Sequence, residues 1–144
     1  MKRQSYKNHV RYYVPHHFIF YPVMLALIGF CVGYATGGEN KLEWFFMALL
    51  FLSVIILSFM LRQHYALTLQ DRIVLLELRY RYYATTGHRL EPYEDRLTKG
   101  QLFALRFAPD EELDSLLQKA IAEGLSADTI KQSVHKWKAD NQRV

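Results

Sequence analysis

Two uncharged stretches set the first limit on how this chain can fold. Residues 18–36, and again residues 44–61, contain no side chain that is charged at neutral pH. Each run approaches the ~20 apolar residues that an α-helix needs to cross ~30 Å of hydrocarbon. A chain of 144 residues has too little interior to hide both in a water-soluble core. The expected fold class is an all-α membrane protein: a two-helix transmembrane hairpin over 17–62, with spans at about 17–36 and 44–62. A signal peptide is the rival reading of the first run. That run exceeds a signal core of ~7–15 residues, and a second span follows almost at once. Cys31 is the only cysteine, so an intrachain disulfide is excluded.

Orientation follows from the basic residues at the span ends. Residues 1–16 form a basic, aromatic arm carrying Lys2, Arg3, Lys7 and Arg11 with no acidic partner. The connector sets Lys41 against Glu39 and Glu43, and Arg62, Arg72, Arg79 and Arg81 follow the second span. Both termini are therefore expected in the cytoplasm. Tyr34 and Trp44 would lie at the outer aromatic belt, with Tyr21 and Tyr65 near the inner one.

Beyond the hairpin the chain divides into three pieces. Residues 63–86 read as an amphipathic helix continuing from the second span, with Leu69, Ile73, Leu76, Tyr80 and Tyr83 in a stripe at spacings of three and four. Glu77 stands one turn before Arg81 as a candidate ion pair. This helix either projects into the cytoplasm or bends to lie along the lipid surface. Residues 87–97 read as a linker, because Pro92 and a run of charges oppose a regular element. Residues 98–144 read as a small module of three short helices. They open on the Thr98–Gln101 capping box, on Pro109 with its acidic first turn, and on Ser126. The last helix should align Ile130, Val134 and Trp137 on one face. So thin a core would need support from the long helix or from a partner.

Gly29, Gly33 and Gly37 form a small-xxx-small ladder that lets helix backbones approach closely in lipid. One reading seats the second span of the same hairpin on this face. The other docks a different integral membrane protein, or a second copy, making a homo-oligomer. The stripe on 63–86 is a candidate partner contact. Lys2, Arg3, Lys7, Arg11 and Arg62 suit anionic lipid headgroups at about 1 kcal/mol each. His16, His17 and His64 should share one boundary, but with no Cys or carboxylate at ligand spacing they read as interfacial side chains, and no metal or other cofactor is expected. Residues 118–134 resemble a helix-turn-helix, with Ser133 where that motif wants an apolar residue. A net charge of +4 adds no push toward nucleic acid, so that partner is disfavoured. The central spans hold no ionisable path, and no phosphate loop, nucleophile elbow or metal-protease signature occurs, so no catalytic residue is assigned and the chain is expected not to be an enzyme.

The segments YKNH, YVPHH, LQDRIVLLELRYR, LTKGQLFALRFAPDEEL and IKQSVHKWKADNQRV resemble a family of short bacterial integral-membrane proteins with no assigned activity. The resemblance implies two spans and an inner-membrane location, and brings no catalytic residue with it. The expected function is a non-catalytic accessory or scaffold subunit of an inner-membrane complex. The alternatives are a membrane-tethered regulator acting through the helix-turn-helix-like module, and a small homo-oligomeric membrane protein.

Overall fold

A computed structural model describes residues 4–9 and 13–139. Every regular element among these residues is helical. The chain divides into two bodies, one of residues 12–68 and one joining residues 1–11 to residues 69–143.

The first body is the hairpin. Helix α1 runs Pro15–Gly37, and α2 starts at Lys41 and continues to Thr86 without a break. The opening turn of α1, Pro15–Phe20, is π-helical, with the Tyr21 N–H donating to the His16 carbonyl. Pro22 explains the wider turn, because it lacks an N–H and its ring would crowd the Phe18 carbonyl in a regular helix. A second π-helical turn covers Leu61–Ala66 in α2. The connector reverses at Asn40, whose φ of 55° is left-handed. Among non-glycine residues asparagine is one of the few that adopt that conformation readily. Tyr34 and Trp44 pack on each other beside this turn, their ring centroids 5.0 Å apart.

The two helices meet along a seam that repeats every three and four residues. Met24, Ile28, Cys31 and Ala35 of α1 face Ala48, Phe51, Ile55 and Ser58 of α2, and these positions are buried or half-buried. This 4-3 alternation is the pattern of shallow-angle helix pairs. Away from the seam the surface stays apolar: only 11% and 6% of the most apolar windows of the two helices are buried. Both helices are long and apolar enough to cross a membrane.

The second body packs a helical module onto the last part of α2. Gly87, with φ of 72°, ends that helix in the left-handed conformation that glycine adopts without a Cβ penalty. Within the stretch expected to be linker, a single helical turn, α3 (Glu91–Glu94), forms with Pro92 in its first turn, where a missing N–H costs nothing. It is anchored by Leu90, fully buried, and by the pairing of Glu94 with Arg79. Helix α4 (Lys99–Leu105) opens on the expected capping box, in which the Thr98 hydroxyl accepts from the Gln101 N–H and the Thr98 N–H donates to Gln101 Oε1 at 2.7 Å. Helix α5 (Asp110–Glu123) follows Pro109 and stops at Gly124, which has φ of 63°.

Helix α6 covers Ala127–Ser133 behind its Ser126 cap. It is shorter than the sequence suggests. Val134 is already extended, so Val134 and Trp137 do not continue the face of Ile130. The chain leaves the helix because Trp137 finds a better partner: its ring stacks on Phe107 with centroids 4.5 Å apart, and the Lys138 N–H donates to the Phe107 carbonyl at 2.8 Å. The core gathers Leu105, Leu113, Leu117 and Ile130 from the short helices with Leu78 and Tyr82 from α2. The long helix thus supplies the support that so small a module needs.

Candidate functional site

The glycine ladder is not where the hairpin closes. A Cβ built at Gly29, Gly33 or Gly37 meets nothing within 4 Å, and all three positions are exposed. At about 100° per residue the ladder lies roughly half a turn from the Met24–Ile28–Cys31–Ala35 seam. The reading that seats the second span on these glycines is therefore corrected. Cys31, Ala35 and Ala48 take the small-residue role inside the hairpin, and the ladder faces outward. Since alanine favours a helix over glycine by ~0.5–1 kcal/mol, Gly33→Ala should leave the hairpin's melting temperature in detergent unchanged or raised. A clear fall in that melt would mean that the glycine face is packed in the purified particle.

The basic residues of the N-terminal arm fall mostly outside the described residues: Lys2, Arg3 and Arg11 lie there. Lys7 is exposed in the turn Tyr6–Asn8. Arg62 is exposed and donates from Nη1 to His17 Nε2 at 2.6 Å. Arginine has no acceptor, so His17 must present an unprotonated Nε2 here. The bond ties the starting turn of α1 to the π-helical turn of α2. His16 stacks with Phe20 and abuts Tyr21. Among the described residues, no group of three or more His, Cys, Asp or Glu side chains is placed to share a metal ion.

The part of α2 beyond the hairpin is apolar on two sides. One side, Val74, Leu78 and Tyr82, is buried, and Leu78 and Tyr82 belong to the module core. The other carries Leu69, Ile73, Leu76, Tyr80 and Tyr83, which are 56%, 56%, 65%, 72% and 58% exposed. Sequence periodicity finds this second side and misses the first, because both sides are apolar and only packing tells them apart. Arg72 and Glu77 flank the exposed side, and neither has an ion pair or hydrogen bond among the described residues.

Arg81 does not pair with Glu77 as the local spacing suggests. It reaches across to the start of α5 instead, donating from Nε to Asp110 Oδ1 at 2.8 Å, from Nη1 to the Arg106 carbonyl at 3.0 Å, and from Nη2 to the Ala108 carbonyl at 2.6 Å. Lys138 Nζ joins Asp110 at 3.3 Å. The Arg81 guanidinium holds the Asp110 carboxyl below its ordinary value, with Lys138 adding to the effect. Arg79 and Glu94 form a fork-to-fork pair with both contacts at 2.6 Å. The Tyr82 hydroxyl donates to Asp114 at 2.8 Å, and burial, followed by that hydrogen bond, pushes its phenol well above the usual range. His9 of the N-terminal arm lies against both Phe107 and Trp137, with centroids 5.8 and 5.9 Å away. These polar and aromatic contacts clamp the module to α2 and to the arm.

A family model described as "Family of unknown function (DUF6526)" matches residues 1–144. The chain belongs to DUF6526. Comparison of this DUF6526 chain with curated proteins and with solved structures returned no match. The resemblance drawn from the sequence motifs thus agrees with the family match in pointing to a family without an assigned activity.

Proposed function

We propose that this DUF6526 chain is a non-catalytic accessory or scaffold subunit of a bacterial inner-membrane complex. Its two long apolar helices cross the bilayer and both termini lie in the cytoplasm. The placement of Lys and Arg at the span ends supports that orientation. Lys7 and Arg62, with the basic residues of the arm outside the described region, meet anionic headgroups on the cytoplasmic side.

One observation carries the reading. Beyond the hairpin, α2 has one apolar side closed by its own module and a second, Leu69 to Tyr83, left bare. Exposed apolar surface of this kind, with polar residues at its rim, is the mark of a contact with another protein or with the membrane surface, and a stripe of leucines and tyrosines suits packing on protein. The short helices that cover the other side are arranged to hold α2, with Arg79, Arg81 and Tyr82 each tied down to the module. A helix fixed in this way presents its free side as a rigid face.

Purification of a tagged copy in mild detergent should bring down a second membrane protein in fixed ratio. Recovery of this chain with no other protein would remove the reading.

A further inference from the structure

We infer that the exposed side of α2 is the seam of a parallel two-stranded coiled coil formed with a second copy of this chain. The inference rests on the membrane-spanning reading above, and it gives the bare face to a second copy in place of a different protein.

The spacing comes first. Leu69, Ile73, Leu76, Tyr80 and Tyr83 are separated by four, three, four and three residues. That places them at d, a, d, a and d of a heptad, with nothing charged in the seam. Leucine at d beside β-branched isoleucine at a is the combination that favours two strands arranged in parallel.

The flanking charges give an independent argument. In this register Arg72 and Arg79 occupy g, and Gln70 and Glu77 occupy e. A parallel pair sets each g residue beside the e residue five positions on in the other copy. Arg72 then meets Glu77 of the second copy twice, once on each side of the two-fold axis. Both side chains are exposed and have no partner within their own chain among the described residues. The other g residue, Arg79, is already held by Glu94. An antiparallel pair would bring g against g and set the arginines on like charge.

Within the second body the seam side of α2 is uncovered. The buried residues Val74, Leu78 and Tyr82, the last two in the module core, fall at b, f and c, on the side of α2 away from the seam. Two copies inserted in one membrane with the same topology present these seams in parallel when this part of α2 stands out from the bilayer. The seam is about two heptads long, too short to hold free helices together in water. Anchoring both strands in a bilayer raises their effective concentration and offsets that shortness.

Disulfide trapping in native membranes tests the register. In a Cys31→Ser background, Leu69→Cys and Leu76→Cys should each give a covalent dimer on mild oxidation, and Asp71→Cys at f should give little. Arg72→Glu and Glu77→Arg should each reduce the Leu76→Cys dimer, and the double exchange should restore it. Failure of both seam cysteines to crosslink overturns the inference, as does equal crosslinking through Asp71→Cys or a double exchange that restores nothing. A seam resting on the bilayer or on another protein leaves the Leu76→Cys chain monomeric and gives that negative result. A single copy recovered with a different membrane protein defeats the coiled coil and leaves the accessory reading standing. A trapped dimer recovered with no other protein does the reverse.

Discussion

Leu78→Ala should unfold the C-terminal helical module far more readily than Leu76→Ala, although the two leucines are close together on the same helix. Leu78 is 1% exposed and belongs to the module core, whereas Leu76 is 65% exposed. Truncating a fully buried leucine removes its transfer free energy and leaves a cavity, at a cost of ~2–5 kcal/mol. Small domains hold little in reserve, since total stabilities run only to ~5–15 kcal/mol. For a unit of this size a loss of ~3 kcal/mol corresponds to a fall in melting temperature on the order of 15 °C. Truncation of an exposed residue typically changes stability by less than ~0.5 kcal/mol. The measurement is thermal melting of the full chain in dilute detergent, followed by near-UV circular dichroism and protease resistance. Equal losses for the two variants would mean that α2 is embedded on both sides, and the bare face would no longer exist. A selective loss of stability for Leu78→Ala, together with loss of the Leu69→Cys crosslink in Leu69→Cys/Leu76→Ala membranes, would separate the two sides of one helix by experiment.

What the sequence made legible, and what it hid, follows from the range of the forces involved. Caps and stops act within a turn, so Thr98, Ser126, Gly87 and Gly124 mark element ends that the structure places where their chemistry requires. The exposed stripe of α2 was also legible, because five residues at the right spacing are visible in a single chain. The side facing the module was not, since Val74, Leu78 and Tyr82 are as apolar as the stripe itself. The same degeneracy hid the hairpin seam. The two helices are apolar on nearly every side, so all their faces have similar composition and periodicity cannot choose between the glycine ladder and the Met24–Cys31 seam. Contacts between distant residues left no local trace. Nothing near Trp137 announces Phe107 as its stacking partner, and Glu77 is the nearer acid to Arg81 in sequence although Asp110 takes it in space.

Arg81→Ala should cost the module almost as much as a core truncation, and should change how its stability responds to acid. The Arg81 side chain is 16% exposed and joins α2 to Asp110 and to two backbone carbonyls at the entry to α5. Its removal breaks hydrogen bonds in which the donor is charged, each worth ~1.5–3 kcal/mol. It also leaves the Arg106 and Ala108 carbonyls without that donor. A net loss of ~2–4 kcal/mol is expected. The acid limb follows from Asp110, whose folded carboxyl is held below its ordinary value by Arg81 foremost. A group depressed in the folded state binds its proton more readily when unfolded, so its stabilisation is complete above the ordinary carboxylate value and is lost as pH falls through the lower folded one. The wild-type melting temperature should therefore fall below about pH 4. In Asp110→Asn that part of the acid slope should vanish, and in Arg81→Ala it should be much reduced because the carboxyl returns toward its ordinary value. The Asp110 side chain is 46% exposed, so solvent screens the pair. Arg81→Ala should consequently destabilise more than Asp110→Asn at neutral pH, because only the arginine reaches the two backbone carbonyls, although Asp110→Asn also gives up the contact with Lys138. Equal effects of the two substitutions would assign the whole contribution to the ion pair and none to the carbonyl clamp.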